Sequence, residues 1–203
     1  MYSRHDFEKQ MNVSRETLDK FITYGELLRK WQKSVNLVSN KTLDDLWRRH
    51  MLDSAQLVEY IDNKDIEIVD IGSGAGFPGL ALSILGYDVT MIESDTKKCL
   101  FLKEVIRQLS LFAVVENCRI EDAQHTANLL TARALAPLTD LLRYSENLID
   151  ADGTCLFQKG RTAEQEIIDA RKDGWNFDIQ KYESIASEDS YVIELKNVSR
   201  ETL

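Results

Sequence analysis

The 203-residue sequence has no apolar run long enough to cross a membrane. Its first residues, Met1 to Asp6, also lack the basic and then apolar layout of a secretion signal, so we expect a cytoplasmic protein. Cysteine is scarce. The three cysteines, Cys99, Cys118 and Cys155, are widely spaced and odd in number, which argues against a disulfide framework and against a metal cluster. We therefore expect reduced packing residues and no bound metal.

The sequence also has no excess of positive charge, since its net charge is −9. Such a balance normally argues against nucleic-acid binding, in which lysine and arginine replace the counterions of the phosphates. Basic residues nevertheless cluster locally, at Arg48, Arg49 and His50 and again at Lys159 and Arg161. Each cluster alone is more typical of a solvated surface. Since the distribution of charge matters more than its sum, the composition leaves an RNA substrate open.

The first part of the chain has apolar residues at helical spacing. Residues 14–38 predict one helix with Ser14 as its N-cap. A second helix is predicted from Thr42, with Asp45 completing a capping box, as far as residue 61. A polar break follows, after which the pattern changes. We therefore expect an N-terminal helical extension packed on a larger domain, with the two parts at 1–62 and 63–203.

From residue 66 onward, short apolar strands alternate with helices. We place five strands near residues 66–71, 88–93, 112–118, 129–133 and 153–159. We place helices near residues 78–86, 97–110, 122–128, 137–149 and 162–173. This alternation predicts parallel strands, whereas two last strands, at 175–182 and 191–197, leave no room for a crossover helix. The predicted fold is α/β and Rossmann-like: a doubly wound, mostly parallel sheet with a terminal antiparallel strand.

One heptapeptide, NVSRETL, occurs at residues 12–18 and again at 197–203. A single copy near each end is not the pattern of a repeat protein. The repetition therefore predicts nothing about the fold.

A glycine-rich segment, residues 70–79, follows the first predicted strand. Glycine at such a turn lets the backbone approach a ligand more closely than a Cβ would allow. The G-x-G-x-x-G pattern of dinucleotide sites is present, at Gly74, Gly76 and Gly79. The segment also resembles the first motif of methyltransferases that use S-adenosylmethionine, because Asp70 and Gly72 precede that pattern. An acid in this place can face the ammonium group of S-adenosylmethionine, whereas a dinucleotide presents a pyrophosphate.

Further residues take consistent roles at an S-adenosylmethionine site. Glu93, at the end of the second predicted strand, can accept hydrogen bonds from both ribose hydroxyls. Ile120 and Glu121, after the third strand, can bracket the adenine by packing and by polar contact. Phe77 is held extended by Pro78, which is placed to begin the next helix. The alternatives are that Glu93 and Glu121 are ordinary solvated carboxylates and that Phe77 is an ordinary core residue.

The end of the fourth predicted strand, residues 130–137, indicates the methyl acceptor by what it lacks. It has no Asp/Asn-Pro-Pro-aromatic segment of the kind that accepts the hydrogens of an exocyclic base amine. The sequence has no Pro-Cys pair, and Cys155 falls inside a predicted strand, so the cysteine nucleophile that cytosine C5 methylation needs is missing. Guanine N7 has a free lone pair and loses no proton on methylation. We therefore expect such an acceptor and no acid–base pair.

The chain resembles the bacterial glucose-inhibited division protein B family in six segments: NLVS at 36–39, RHMLDS at 49–54, the glycine-rich segment at 70–79, RIE at 119–121, ARA at 132–134 and QKG at 158–160. The resemblance implies a methyl transfer from S-adenosylmethionine to N7 of a guanine in 16S ribosomal RNA, within the small ribosomal subunit. We expect a monomer. The family's cofactor contacts match five positions here: Gly72, Phe77, Ile120, Glu121 and Arg133.

Candidate contacts to the RNA are Arg49, His50, Arg133 and Lys159. Arg133 is the most informative, since a guanidinium fork can grip a carboxylate or a phosphate with two hydrogen bonds. His50 lies on the apolar stripe of its helix, so a buried, hydrogen-bonded histidine is at least as good an interpretation. The alternative functions are a small-molecule or protein methyltransferase and a non-catalytic protein that binds S-adenosylmethionine, and a dinucleotide oxidoreductase ranks last.

Overall fold

The computed structural model describes residues 2–200, apart from the side chain of Ala151. The chain before the first strand is mostly helical, as the sequence predicts. The helices are α1 (Arg4–Met11), α2 (Arg15–Trp31), α3 (Asn40–Leu43), a π-helical segment (Trp47–Leu52), α4 (Asp53–Ala55) and a 3-10 helix (Gln56–Tyr60). The last residues of the predicted larger domain and of the second heptapeptide, 201–203, lie outside the described residues.

The predicted start of the first long helix is confirmed, and that of the next is wrong. Ser14 caps α2, because its Oγ accepts a hydrogen bond from the N–H of Thr17 at 3.1 Å. α2 ends at Trp31 rather than at residue 38. The next helix begins after Ser39, whose Oγ accepts the N–H of Thr42 at 3.3 Å. Ser39 provides the same capping chemistry three residues earlier, so Thr42 lies inside α3.

Seven strands form one sheet in the order β3-β2-β1-β4-β5-β7-β6. They are β1 (Glu67–Ile71), β2 (Asp88–Ile92), β3 (Ala113–Glu116), β4 (Ala127–Arg133), β5 (Ile149–Lys159), β6 (Trp175–Glu183) and β7 (Tyr191–Arg200). The first five are parallel, and β7 is antiparallel to both β5 and β6. This confirms the predicted α/β class. The order of strands reverses between β1 and β4, and ligands of such sheets bind at the carboxyl ends of the strands there.

Four helices follow strands β1, β2, β4 and β5: α5 (Gly79–Ile84), α6 (Thr96–Leu109), α7 (Leu138–Ser145) and α8 (Ala163–Lys172). The helix predicted at 122–128 is wrong. A 3-10 turn (Ile120–Asp122) occurs instead, and β4 already begins at Ala127. Residues 123–126 alone separate the turn from the strand, which is too short a span for a helix of several turns. No helix within residues 2–200 is long and apolar enough to span a bilayer.

Two hydrophobic clusters cover the two faces of the sheet. Consecutive residues of β1 show this, since Ile68 belongs to one cluster and Val69 to the other. α2 contributes Phe21 and Tyr24 to the cluster of Ile68, and both side chains are fully buried. The N-terminal helices and the sheet therefore share a core, and the division of the chain at residue 62 stays a prediction.

Candidate functional site

The glycine loop, residues 72–76, joins β1 to α5 at the carboxyl end of the sheet. The N–H groups of Gly72 and Ser73 donate hydrogen bonds to the carbonyl of Ile92, at the end of β2, at 2.9 and 3.2 Å. Gly72 has a φ of +62°, and a Cβ there would lie 2.5 Å from Cδ1 of Leu135. Glycine is favoured here because a side chain would strain the left-handed backbone and would displace the side chain of Leu135.

A cavity of about 430 Å³, called here the first cavity, lies beside this loop. It is lined by most of the residues predicted to contact the cofactor: Gly72, Gly74, Phe77, Glu93, Ile120, Glu121 and Arg133. Gly76 is the exception. It has a φ of +90°, and a Cβ there would collide with the side chain of Leu80. Gly76 therefore lets the loop pack against α5 and does not line the cavity, contrary to the prediction.

Sequence reasoning missed several residues that line the first cavity. Leu37 and Val38 come from the segment after α2, Lys98 from the first turn of α6 and Tyr144 from α7. Arg119 precedes the predicted contact at Ile120, and this adjacency is a signal that could have found it. Leu37 and Val38 belong to the NLVS segment of the family resemblance, which is the signal that could have found them. Lys98 and Tyr144 lie far from the glycine loop in the chain, and no spacing pattern relates them to it.

Glu93 follows β2 directly and is only 6% exposed. Its Oε2 accepts a hydrogen bond from the N–H of Gly74, and its Oε1 accepts one from the N–H of Asp95, both at 2.8 Å. A carboxylate oxygen can accept more than one hydrogen bond. Glu93 can therefore anchor the glycine loop and still accept hydrogen bonds from two hydroxyl groups of a ligand.

Asp70 does not face the first cavity, contrary to the sequence interpretation. Its carboxylate is fully buried, and it accepts hydrogen bonds from the N–H of Gly79 at 3.2 Å and from Oγ1 of Thr131 at 2.9 Å. Burial raises the pKa of this carboxyl to about 6, although the hydrogen bonds from Ser73 and Thr131 oppose the shift. Asp70 therefore joins β1, the start of α5 and β4 beneath the loop.

Arg133, at the end of β4, is the centre of a polar network with the N-terminal helices. Its Nη1 donates to Oδ2 of Asp53 at 3.0 Å and to the carbonyl of Arg49 at 3.1 Å. Its Nη2 lies 2.5 Å from Nδ1 of His50. The guanidinium carbon also lies 5.1 Å from the centre of the Phe77 ring. These contacts fix Arg133 with its side chain 15% exposed.

A second cavity of about 550 Å³ lies on the other side of Arg133. The two cavities share a short segment, Arg133, Ala134 and Leu135. All four predicted RNA contacts line the second cavity: Arg49, His50, Arg133 and Lys159. The structure thus brings together residues of the π-helical segment, β4 and β5 that the sequence could only propose separately.

Of the other three predicted RNA contacts, His50 and Lys159 are buried or paired within the protein, and Arg49 is exposed. His50 is buried, and its pKa is lowered to about 3, first by burial and then by the nearby charges of Arg133 and Arg49. Nζ of Lys159 lies 2.5 Å from Oε2 of Glu166, and the Lys159 side chain is 8% exposed. Arg49 is exposed and donates a 2.6 Å hydrogen bond to Oγ of Ser187.

Comparisons with known proteins agree with this architecture. The family model described as rRNA small subunit methyltransferase G matches residues 17–190. A ribosomal RNA small subunit methyltransferase G from Paramagnetospirillum magneticum is 47% identical over 190 residues, which cover 93% of this chain and 92% of that protein. The chain belongs to this family. The ribosomal RNA small subunit methyltransferase G from Rhodospirillum centenum is 44% identical over 196 residues, which cover 96% of this chain and 90% of that protein. The resemblance seen in the sequence is thereby confirmed.

Solved structures show the same fold at low sequence identity. A SAM-dependent methyltransferase from Aquifex aeolicus superposes with a TM-score of 0.61 and 16% identity, over 76% of this chain and 95% of that one. A ribosomal protein L11 methylase from Lactobacillus delbrueckii subsp. bulgaricus gives a TM-score of 0.59 and 18% identity, over 73% of this chain and 77% of that one. These likenesses confirm the predicted Rossmann-like fold. Membership of the methyltransferase G family confirms the predicted cofactor, S-adenosylmethionine.

The residues of the first cavity fit this cofactor. Gly72 presents bare backbone at a position where a side chain would be strained, and Glu93 offers a carboxylate suited to hydroxyl groups. Ile120 and Phe77 add apolar surface, and Glu121 adds a second carboxylate. A nucleoside with a charged amino-acid tail requires this combination of polar and apolar walls.

Proposed function

We propose that this protein transfers the methyl group of S-adenosylmethionine to N7 of a guanine in 16S ribosomal RNA, within the small ribosomal subunit. The ionisable groups that line the second cavity carry the proposal. The two carboxylates there are held in ion pairs, Asp53 with Arg133 at 3.0 Å and Glu166 with Lys159 at 2.5 Å. Neither of them is free to remove a proton from a substrate.

Two further candidate groups, His50 and Cys155, are equally unsuited to take a proton or to attack a base. His50 has its pKa lowered to about 3, and an imidazole with so low a pKa is a weak general base. Cys155 is buried in β5, and burial raises the pKa of its thiol to about 12, so it is no nucleophile at neutral pH. An exocyclic amine would have to lose a proton, whereas guanine N7 does not. These properties favour a ring nitrogen as the acceptor.

The proposal assigns the cofactor to the first cavity and the target base to the second. Bound S-adenosylmethionine supplies an electrophilic methyl group. Glu93 holds the ribose hydroxyls in this proposal, and Ile120 with Glu121 contacts the adenine. Arg133 borders both cavities and is fixed by several hydrogen bonds, so it can hold the two reactants in a constant relation. Such orientation alone can contribute about 7 to 11 kcal/mol to a reaction without acid–base catalysis.

The RNA has to present its guanine outside a regular helix. Guanine N7 in an A-form duplex lies in a groove too deep and narrow for side chains, so the target is a loop nucleotide or one that is extruded. Arg49 is exposed at the second cavity and is the residue that we assign to a phosphate beside the target. With few phosphates contacted, an overall charge of −9 is compatible with an RNA substrate.

Methyl transfer from labelled S-adenosylmethionine tests the proposal. The protein is incubated with naked 16S ribosomal RNA and, separately, with small ribosomal subunits from cells that lack this gene. N7-methylguanine is then mapped by borohydride reduction and aniline cleavage. We expect one labelled guanine, cleaved only after incubation with active protein. Label on an exocyclic amine or on C5 of a pyrimidine would overturn the N7 assignment, and no label on either RNA would favour a non-catalytic protein that binds S-adenosylmethionine.

A further inference from the structure

The segment between α2 and α3, residues 32–39, reaches the first cavity without regular secondary structure. Leu37 and Val38 are the residues before β1 that line this cavity in the described part of the chain. Both are half-buried and pack against the first hydrophobic cluster. A segment with no helix or strand needs another source of hydrogen bonds to keep its side chains in place.

The side-chain amide of Gln32 provides these hydrogen bonds. Its Oε1 accepts from the N–H of Leu37 at 3.0 Å and from the N–H of Val38 at 3.1 Å. Its Nε2 donates to the carbonyl of Val38 at 2.7 Å and to Oδ1 of Asn40 at 3.3 Å. One amide group thus satisfies three backbone groups of the two residues whose side chains line the cavity.

Gln32 is itself fixed at the end of α2, one face of which is buried. Its N–H donates to the carbonyl of Leu28 at 2.9 Å as the C-cap of α2. The preceding residue, Trp31, packs on Phe101 of α6 with ring centres 5.8 Å apart. The side-chain amide of Gln32 therefore ties Leu37 and Val38 to the end of α2. The loop itself has no helical or sheet hydrogen bonds that would hold them.

We propose that Gln32 is a positioning residue for the cofactor, which it serves by holding Leu37 and Val38 as an apolar wall of the first cavity. The inference rests on the proposed place of S-adenosylmethionine in that cavity. Because a primary amide combines a donor and an acceptor, no single hydrophobic or carboxylate side chain reproduces all of these bonds. We call the hydrogen bonds from the Gln32 amide to Leu37 and Val38 the clamp. Without the clamp, the apolar wall loses its fixed position, and a ligand has to order residues 32–39 when it binds.

Calorimetric titration with S-adenosylhomocysteine tests this role independently of methyl transfer. We expect Gln32→Ala to weaken binding by about tenfold or more, since the cost of ordering the loop is subtracted from the binding free energy. Gln32→Glu keeps the acceptor but places a carboxylate oxygen against the carbonyl of Val38 in place of the donor, so we expect it to weaken binding as well. In Gln32→Ala, the amides of Leu37 and Val38 should also exchange with deuterium faster than in the wild type. The thermal midpoint should change little, because Gln32 is not a core residue.

Gln10→Ala is the matched control, since Gln10 lies on α1, accepts one exposed hydrogen bond from Tyr2 and does not line the cavity. It should bind S-adenosylhomocysteine as the wild type does. An unchanged dissociation constant in Gln32→Ala would overturn the inference. If the Gln32 variants do not fold, Leu37→Ala takes their place, because it removes part of the wall without touching the clamp. Unchanged binding by this variant would also overturn the inference.

The same samples separate this inference from the proposed function. A wild-type protein that binds S-adenosylhomocysteine, loses affinity in Gln32→Ala and methylates no RNA would contradict the function and support the clamp. A protein that methylates RNA normally while Gln32→Ala binds with full affinity would contradict the clamp and support the function.

Discussion

The phenol of Tyr24 donates a 2.6 Å hydrogen bond to the carbonyl of Ala75 and thereby joins α2 to the glycine loop. Tyr24 is fully buried, and its ring lies 5.1 Å from that of Phe77, which lines the first cavity. Burial raises the pKa of the Tyr24 phenol well above its usual value, so the group remains a hydrogen-bond donor at all working pH values. The N-terminal helices thus contact the proposed cofactor loop from beneath.

Tyr24→Phe should destabilise the protein and weaken binding of S-adenosylhomocysteine. The substitution keeps the ring but leaves the buried carbonyl of Ala75 without its donor, which costs about 1 to 3 kcal/mol. Urea unfolding with and without the ligand measures both effects. Tyr2→Phe is the control, because it removes an exposed hydrogen bond to Gln10 and should change the stability by less than about 0.5 kcal/mol. Equal stabilities of the two variants would contradict the prediction.

Asp53→Asn should lower the rate of methyl transfer as well as the folding stability. Asp53 holds Arg133 by a charged hydrogen bond at 3.0 Å, and such bonds contribute about 1.5 to 3 kcal/mol. If Arg133 has to be held between the two cavities, kcat/KM falls by about ten- to hundredfold. Single-turnover methylation measures the loss. Asp44→Asn, exposed at the end of α3 and outside both cavities, is the control and should retain full activity.

Binding of the RNA should depend only weakly on salt. Arg133 and Lys159 are already paired with Asp53 and Glu166, which leaves Arg49 as the cation of the second cavity without an ion pair within residues 2–200. Each neutralised phosphate contributes about −0.7 to −0.9 to the slope of log K against log salt. Filter binding between low and moderate salt gives this slope. A slope equivalent to about six phosphates or more would show that a larger basic surface contacts the RNA.

The heptapeptide shared by the two ends shows why parts of the fold could not be predicted. Asn12 and Asn197 both have a positive φ, 48° and 53°, so this local preference is the same in both copies. Ser14 then caps α2, whereas Ser199 pairs with Asn176 in the sheet. The first four letters thus form a turn and the start of a helix in one copy, and strand in the other, in which residues 197–200 are described. The partner that decides between them lies elsewhere in the chain, and the sequence pattern does not contain it.

The residues of the candidate site also fall into those that could be predicted from the sequence and those that could not. Gly72 and Glu93 could be predicted because their positions follow from the turn after one strand and the end of the next. Asp70 shares that local pattern, yet its carboxylate turns towards Thr131 of β4, a neighbour that only the sheet order provides. Leu37 and Asp53 could not be assigned for a related reason, since they reach the site through the packing of the N-terminal helices.

Two buried groups should give the stability opposite dependences on pH. Asp70 has a pKa of about 6 in the folded protein against an ordinary value of 3.8, so the folded state binds its proton more tightly. Its contribution is therefore full below about pH 4 and falls by about 3 kcal/mol as the pH rises to about 6. His50 has a pKa of about 3 against 6.5, so the unfolded state binds its proton more tightly. Its contribution is full above about pH 6.5 and falls towards pH 3.

Between about pH 4 and pH 6 these two contributions change in opposite directions and largely cancel in the wild type. Asp70→Asn removes the contribution to stability that falls as the pH rises. The stability of this variant should therefore rise more steeply with pH than that of the wild type. His50→Gln removes the rising contribution, and its stability should fall over the same range. The double variant should recover the shallow dependence of the wild type. Urea unfolding at several pH values measures the slopes, and parallel curves for the two single variants would show that neither group titrates as its burial requires.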